Sequence, residues 1–324
     1  MVPRMSASAP LDYLELDSAG YPRNEKAEPA PGRTALSFEV IPPRHDADHA
    51  KTAHLLQVLS SYNPDYIAVT SSKRSGWLEG TAKFIEQISS TTTMRPLAHL
   101  ACTAGNRREL IEWINVLVDA GVRGLLALRG DFEPGQSSLP EGYLQHGDEL
   151  VRLIRQVEAE QAARFAAGRL AVGVACYPNG HAESANADED FDVLLSKQRS
   201  GADLAITQLF FDAEDYLKFA QRAKLAGTKI PLIPGIMPIT SLKRAQRMGE
   251  LSGLEVPPRL IDKLSRARSP DEEYAIGMAH TVELAQAVVA AGAGCLHIYT
   301  HNNADITQEL LTAIGIFADN TIKN

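Results

Sequence analysis

Residues 35–44 have the sequence ALSFEVIPPR, and this segment decides between the two folds that the rest of the chain allows. Its first seven residues are mostly apolar, as is typical of a parallel strand that is buried on both faces. A doubly wound open sheet usually carries a glycine fingerprint after its first strand. Pro42, Pro43 and Arg44 stand there instead, so the segment favours a closed barrel and leaves the open sheet as the second choice.

Further short apolar runs follow along the chain, with amphipathic helix-like patterns between them. Eight β/α units in one chain predict an α/β protein with a (β/α)8 TIM barrel. The predicted strands comprise residues 35–41, 65–70, 96–102, 122–128, 169–176, 203–209, 231–237 and 294–299. The predicted helices comprise residues 50–61, 80–89, 107–120, 146–166, 188–200, 213–226, 241–252, 258–267 and 271–291. Glycines that are predicted to end helices precede several strands: Gly121, Gly201, Gly227 and Gly292.

The length of 324 residues is normal for one such barrel. Residues 1–33 are rich in Pro, Ala, Ser and charge, and we predict a flexible N-terminal arm there. Residues 34–324 are then predicted to form a single catalytic barrel domain.

Composition excludes several classes of partner. The net charge is −8 and no run of Lys and Arg stands out, which argues against nucleic-acid binding. No apolar stretch approaches the ~18 residues of a membrane span, and the first residues lack a signal-peptide pattern. Three scattered cysteines fit a reducing compartment. We therefore predict a cytoplasmic protein with a small-molecule substrate.

Active sites of (β/α)8 barrels lie at the carboxyl ends of the strands. Glu39 is the most informative residue there, since it shares the inner face of the first strand with Ser37. A buried carboxyl is costly unless it is paired or neutral. Two interpretations stay open: an ion pair with an Arg or Lys, or a raised pKa that lets Glu39 act as a general acid.

Other strand ends carry polar residues with two interpretations each. Arg129-Gly130-Asp131 suits a phosphate and a polar ring, although a surface turn with a salt bridge is favoured on spacing alone. Gln208 needs partners from the protein or from a ligand. His99 and His297 are more often core histidines than ligands, and no metal site is predicted. The chain lacks the usual motifs of Rossmann dehydrogenases, P-loop NTPases, zinc proteases and serine hydrolases.

Five motifs in order resemble the methylenetetrahydrofolate reductase family. They are SFEVIPPR at 37–44, LRGD at 128–131, AITQLFFD at 205–212, IPGIMP at 233–238 and YTHN at 299–302. The resemblance implies reduction of 5,10-methylenetetrahydrofolate to 5-methyltetrahydrofolate, a step of the one-carbon metabolism that serves methionine biosynthesis. It also implies NADH or NADPH as electron donor, bound FAD as carrier, and a homo-oligomer.

The resemblance also assigns roles by position. Glu39 would be the acid that opens the imidazolidine ring, Asp131 would favour the resulting cation, and Gln208 would hold the pterin and the nicotinamide. Met248 and Asn303 align with substrate-contacting positions, where the family has an aromatic residue and an Arg. The flavin-contacting positions correspond to Thr70, His99, Arg129, Gly130, Asp131, Tyr177, His181, Asp190 and Lys197.

Departures from the family pattern concentrate at the flavin positions. An Asn and an Arg of typical members align with Val193 and Ser196. In the segment from Tyr177 to Ser184, three family residues are replaced, by Asn179, Ala182 and Ser184. Direct hydride transfer from NAD(P)H without flavin is therefore an alternative, and a deazaflavin-linked pterin reductase is a weaker one. A folate-linked methyltransferase or lyase and a folate- or flavin-binding barrel without reductase activity are the alternatives from other classes.

Overall fold

Strongly apolar strands of the chain assemble into one parallel sheet in which each strand pairs with its neighbour in sequence. The computed structural model of the chain describes residues 14–16, 22–24, 34–43, 49–71, 77–132, 135–136, 138–184 and 186–319. Its strands are β1 (Leu14–Leu16), β2 (Pro22–Asn24), β3 (Ala35–Val40), β4 (Tyr66–Val69), β5 (Pro96–Ala101), β6 (Gly124–Leu128), β7 (Ala171–Cys176), β8 (Leu204–Thr207), β9 (Leu232–Ile233), β10 (Gly235–Ile236) and β11 (Cys295–Tyr299).

The helices lie between these strands along the chain. They are α1 (His49–Ser60), α2 (Trp77–Thr91), α3 (Arg107–Asp119), α4 (Gly147–Glu160), α5 (Ala187–Arg199), α6 (Ala213–Ala226), α7 (Leu242–Ser252), α8 (Pro258–Ser265), α9 (Pro270–Ala290) and α10 (Ala304–Ala313). Among the described residues, none of these helices combines the length and the apolar character that a membrane span requires.

The sheet closes into a ring through a broken seventh barrel strand. The order β10-β11-β3-β4-β5-β6-β7-β8-β9 is parallel throughout. β9 pairs with β8 and β10 pairs with β11, and only Pro234 separates the two halves. Proline cannot donate to a ladder, but the Pro234 carbonyl accepts from His297 N at 3.0 Å. The predicted (β/α)8 barrel is confirmed, and the predicted strand 231–237 is corrected to two short halves.

The helix predictions need two corrections. The predicted helix 146–166 ends at Glu160, and turns follow it over 161–167. α10 was missing from the prediction although Asn303 caps it, since the Asn303 Oδ1 accepts from Ile306 N at 3.0 Å. The cap signal was therefore present in the sequence.

Most of the predicted arm lies outside the described residues. Residues 14–16 and 22–24 form a small antiparallel ladder, in which Leu14 pairs with Asn24. The flexibility of residues 1–33 and the domain boundary at 34 stay predictions.

Alternation along β3 places its side chains in two different environments. Leu36, Phe38 and Val40 are buried in the main apolar core, whereas Ser37 and Glu39 point to the other side, into the barrel. A small second core of Ala68, Leu97, Leu126, Ile206 and Ile233 fills the barrel interior. Ser37 and Glu39 thus lie beside this apolar cluster, in the part of the barrel where the active site is expected.

Candidate active site

Glu39 lies between two histidines inside the barrel. Its Oε2 is 3.4 Å from His99 Nε2 on β5 and 3.8 Å from His297 Nε2 on β11. Among the described residues, no Lys or Arg forms an ion pair with this carboxylate. The Glu39 side chain is 21% exposed, so part of it is open to solvent.

These contacts change the expected ionisation of Glu39. Burial by itself raises the pKa of the carboxyl. His297 and His99 together lower this pKa by more than burial raises it, so the net pKa lies well below its ordinary value. Neighbours of opposite charge and hydrogen-bond donors both favour the charged form of a carboxyl. The structure therefore corrects both sequence interpretations, because the partners are imidazoles rather than Arg or Lys, and the pKa is lowered rather than raised.

His297 is held on every side by side chains of the barrel interior. Its Nδ1 lies 2.9 Å from Ser37 Oγ. The ring of Tyr66 stacks on it at 6.1 Å between centroids, and the ring of Tyr299 meets it edge-on at 5.1 Å. The imidazole is 1% exposed, so its position relative to Glu39 is fixed by packing.

The backbone around Glu39 is tied to the end of β11. Thr300 N and Thr300 Oγ1 both donate to the Glu39 carbonyl, at 3.3 and 2.6 Å. Two residues further on, the side chain of Asn302 exchanges hydrogen bonds with both backbone polar groups of Ile41. The family-like YTHN segment therefore serves to fix the strand that carries Glu39.

Arg129 follows β6 and is engaged by a carboxylate. Its Nη1 and Nη2 donate to Glu183 Oε2 and Oε1 at 2.5 and 2.8 Å, and its guanidinium lies 4.3 Å from the centroid of the Phe132 ring. The salt bridge favoured by spacing is thus observed. Asp131 is exposed. Gly130 has a φ of 85°, in the left-handed region that favours glycine.

A second group of predicted residues follows β7. The rings of Tyr177 and His181 meet edge-on at 4.6 Å, and burial raises the pKa of Tyr177 to about 12. Asp190 accepts from His181 N and from Ser184 Oγ. Lys197 Nζ donates to the Ala175 carbonyl at 2.9 Å, and burial lowers its pKa. A cavity of about 690 Å³ between α5 and α6 is lined in part by Tyr177, His181 and Asp190.

The remaining predicted residues differ in how free they are for a ligand. Gln208 Oε1 accepts from Leu209 N at 2.9 Å, which uses one oxygen lone pair of its amide. Met248 packs against the apolar cluster of α7 and α8. Asn303 uses its Oδ1 to cap α10. Thr70, which follows β4, is partly buried and donates its backbone N–H to the Val40 carbonyl at 3.0 Å.

Three residues of the site were not among the candidates from sequence. Tyr66 and Glu183 carried no local signal, since a Tyr at a strand start and a Glu in a loop are common. Ser37 did carry one, because it stands two residues before Glu39 and therefore on the same strand face. Among the described residues, no three His, Cys, Asp or Glu side chains group in a way that would hold a metal ion.

Two bacterial reductases are similar to this chain in sequence over most of its length. The 5,10-methylenetetrahydrofolate reductase of Pectobacterium carotovorum subsp. carotovorum is 29% identical over 299 residues, which cover 91% of this chain and 95% of that protein. The enzyme of the same name from Escherichia coli (strain K12) is 30% identical over 294 residues, or 90% and 95% of the two chains.

A solved structure shares the fold. It is an uncharacterised protein from Clostridium thermocellum described as binding two copies of 5-methyl-5,6,7,8-tetrahydrofolic acid. It superposes with a TM-score of 0.58 at 14% identity, over 87% of this chain and 94% of that chain. The sequence profile of one family, described as methylenetetrahydrofolate reductase, matches residues 24–315. By this match, which spans most of its length, the chain belongs to the methylenetetrahydrofolate reductase family of oxidoreductases.

Proposed function

We propose that this protein reduces 5,10-methylenetetrahydrofolate to 5-methyltetrahydrofolate with a hydride that originates from NADH or NADPH. The observation that carries the proposal is the position of Glu39, a partly exposed carboxyl between two imidazoles inside a barrel of this family. The bacterial relatives are named for the same reaction, and the Clostridium structure is described as a folate complex.

The chemistry needs an acid before it needs a hydride. Protonation of a ring nitrogen breaks its bond to the methylene carbon and leaves an iminium ion, which then accepts the hydride. Glu39 is the group that would give this proton, and general acids of this kind contribute about 10²–10⁴ in rate. Because its own pKa is low, Glu39 must receive this proton within the turnover, and His99 and His297 are the side chains beside its carboxylate.

Other candidate residues have supporting roles in the proposal. The charge of Asp131 would stabilise the iminium cation electrostatically. Gln208 would bind the pterin through its NH2 group, since its Oε1 already accepts from Leu209 N. Met248 offers a partly buried apolar contact at the position where family members have an aromatic residue. Asn303 would approach the ligand only with its NH2 group, because its Oδ1 caps α10.

The candidate residues suit the ring and ribityl parts of FAD but not its diphosphate. When bound, FAD would accept hydride from the nicotinamide and pass it to the folate. Thr70, His99, Gly130, Asp131, Tyr177, His181 and Asp190 are candidates to hold its ring and ribityl parts. A diphosphate needs free cations and donors, but Arg129 is engaged by Glu183 and Lys197 donates to Ala175 O.

The two positions where typical members have an Asn and an Arg, Val193 and Ser196, add to this mismatch. Ser196 Oγ donates to Asp148 Oδ2 at 3.0 Å, and Val193 presents an apolar side chain that is 44% exposed. Neither supplies a cation. This donor set supports a second candidate, in which hydride passes from NAD(P)H to the folate without a flavin.

One set of measurements tests the proposal. The purified protein is examined by visible absorption and then mixed anaerobically with NADH or NADPH, with and without methylenetetrahydrofolate. Oxidation that requires the folate and yields 5-methyltetrahydrofolate supports the reductase. A yellow protein that bleaches with NAD(P)H supports FAD, and a colourless active protein supports direct transfer. Folate binding without oxidation would mark a binding barrel and contradict the proposal.

A further inference from the structure

Ser37, His297 and Glu39 lie side by side in the barrel interior. Ser37 Oγ lies 2.9 Å from His297 Nδ1, and His297 Nε2 lies 3.8 Å from Glu39 Oε2. Ser37 is 2% exposed and His297 is 1% exposed. His297 Nε2 has no hydrogen-bond partner among the residues described, although a buried ring nitrogen normally has one.

The hydrogen bonds of Ser37 decide which nitrogen of His297 carries a proton. Ser37 Oγ also lies 3.3 Å from the carbonyl of Leu296, to which it donates. A hydroxyl has a single proton, so Ser37 can then only accept from His297 Nδ1. The hydrogen bond at one ring nitrogen sets the tautomer of the other. Neutral His297 then carries its proton on Nδ1, and its bare Nε2 faces Glu39.

We propose that His297, held by Ser37 in the Nδ1–H form, is the positioning residue that supplies Glu39 with a fresh proton in each turnover. This inference rests on the proposed folate reduction. In other enzymes a hydrogen-bonding group behind a histidine fixes its tautomer and orientation in the same manner. Ser37 is the group with that role here.

The proton balance of the cycle is complete. The Nε2–H proton of His297 passes to Glu39 Oε2 as Glu39 gives a proton to the folate nitrogen, so the carboxyl is protonated only within this step. The electron pair of the broken C–N bond stays on that nitrogen. The hydride adds to the iminium carbon and makes the methyl group. The transfer leaves neutral His297 with Nδ1–H, and solvent returns one proton to it. Each turnover thus consumes one hydride and one proton.

Most other titratable groups around the pair keep one charge state. Burial raises the pKa of Tyr66 and of Tyr299, and it raises the pKa of the Cys295 thiol to about 12, so all three are neutral. Burial and then Arg244 lower the pKa of His301. His99 Nε2 lies 3.4 Å from the same carboxylate oxygen.

The test compares four variants with the wild type. Ser37→Ala removes the hydroxyl, Ser37→Thr keeps it, and His297→Gln removes the titrating nitrogen. Thr281→Val is the control, since Thr281 is also buried and its hydroxyl also makes two hydrogen bonds, to Ile239 N and to Gly277 O. Folate-dependent NAD(P)H oxidation is measured from about pH 5.5 to about pH 9, across the range in which histidine titrates.

Loss of the Ser37 acceptor should destabilise the protonated pair. We expect Ser37→Ala to move the high-pH loss of kcat to lower pH by about one unit, since a hydrogen bond to a charged group is worth about that much. Ser37→Thr should restore the wild-type profile, and His297→Gln should lower kcat about tenfold or more. Binding of 5-methyltetrahydrofolate should change less than about twofold, which separates a proton effect from a packing effect. Thr281→Val should keep the wild-type pH profile.

A second readout does not depend on activity. NMR of protein labelled with ¹⁵N-histidine, with His297 assigned through His297→Gln, should show Nδ1 protonated in the wild type and not in Ser37→Ala. A neutral Nε2–H form in the wild type, or an unchanged pH profile in Ser37→Ala, would overturn the inference while leaving folate reduction intact. Should His297→Gln fail to fold, the two Ser37 variants decide. A wild type that does not reduce the folate overturns the proposed function and this inference with it.

Discussion

Asn302 and Ile41 are joined by two hydrogen bonds that extend the pairing of β3 and β11 beyond its last residues. Ile41 N donates to Asn302 Oδ1 at 2.8 Å, and Asn302 Nδ2 donates to Ile41 O at 2.7 Å. Backbone pairing ends at Glu39 and Tyr299. A side-chain amide thus takes the place of a strand just past Glu39. Asn302 does this with a φ of 58°, in a region that Asn adopts more readily than most residues.

Removal of this amide should weaken both the barrel and the site. We expect Asn302→Ala to lower the free energy of unfolding by about 1–3 kcal/mol, because it loses both hydrogen bonds and strains the backbone. Asn302→Gly keeps the backbone relaxed and loses only the amide, so it should be intermediate in stability and equally impaired in kcat. Urea unfolding and folate-dependent turnover check this. A glycine variant with wild-type stability and turnover would show that the amide has no such role.

Closure of the barrel depends on a close approach at Gly235. A Cβ there would lie 2.6 Å from Thr207 O and 2.5 Å from Tyr299 Cε2, whose hydroxyl donates to the same carbonyl. Gly235→Ala should therefore lower the free energy of unfolding by about 2–3 kcal/mol through overpacking.

Gly227→Ala is the control for this substitution. Gly227 has a φ of 101° and nothing within 4 Å of its Cβ position, so only backbone strain of about 1 kcal/mol is expected. Chemical denaturation of the two variants compares the costs. Equal losses in both would refute close packing at the seventh strand.

The ion pair of Arg129 with Glu183 should compete with phosphate ligands. Glu183→Gln is expected to tighten the binding of NADPH at low salt, with a smaller gain at high salt as the charges are screened. The free energy of unfolding should change by less than about 1 kcal/mol, since Glu183 is 52% exposed.

A variant with the same charge change serves as the control. Asp119 pairs with Arg164 at the end of α3, the helix end that leads back to the opposite face of the barrel. Asp119→Asn should leave nucleotide affinity unchanged. Fluorescence titration at two salt concentrations decides, and equal effects of the two variants would mean that Arg129 does not meet the phosphates.

Sequence periodicity was sufficient for the fold but not for the environment of the site. Apolar runs and helix-ending glycines located all eight barrel strands, because local burial determines them. The break at Pro234 was not predicted, because it depends on pairing of one half of the strand with β8 and of the other half with β11. Glu39 stood out as a polar residue in a buried strand, but its partners His99 and His297 come from strands about 60 and 260 residues away in sequence, and pairwise distances of that kind have no local pattern.

Acid should destabilise the wild type through Glu39. A carboxyl whose pKa is lower in the folded than in the unfolded state stabilises the fold above its unfolded pKa, and this contribution is lost as the pH falls through the folded pKa. The pKa of Glu39 is lowered from an ordinary value of 4.5. Between neutral pH and the region below 4.5, the wild type should therefore lose more stability than Glu39→Gln. Urea unfolding of the wild type and of Glu39→Gln at neutral and at acid pH measures this difference. Equal losses of the free energy of unfolding in the two proteins would contradict the lowered pKa.

The most direct test of the acid role is kcat/KM for methylenetetrahydrofolate in Glu39→Gln compared with the wild type. The amide keeps the size of the side chain but carries no transferable proton, so we expect a fall of about 100-fold or more. Binding of 5-methyltetrahydrofolate and folding at neutral pH should be retained. A Glu39→Gln enzyme with kcat/KM within about twofold of wild type, far below the rate effect of a general acid, would contradict the central claim that Glu39 delivers the proton.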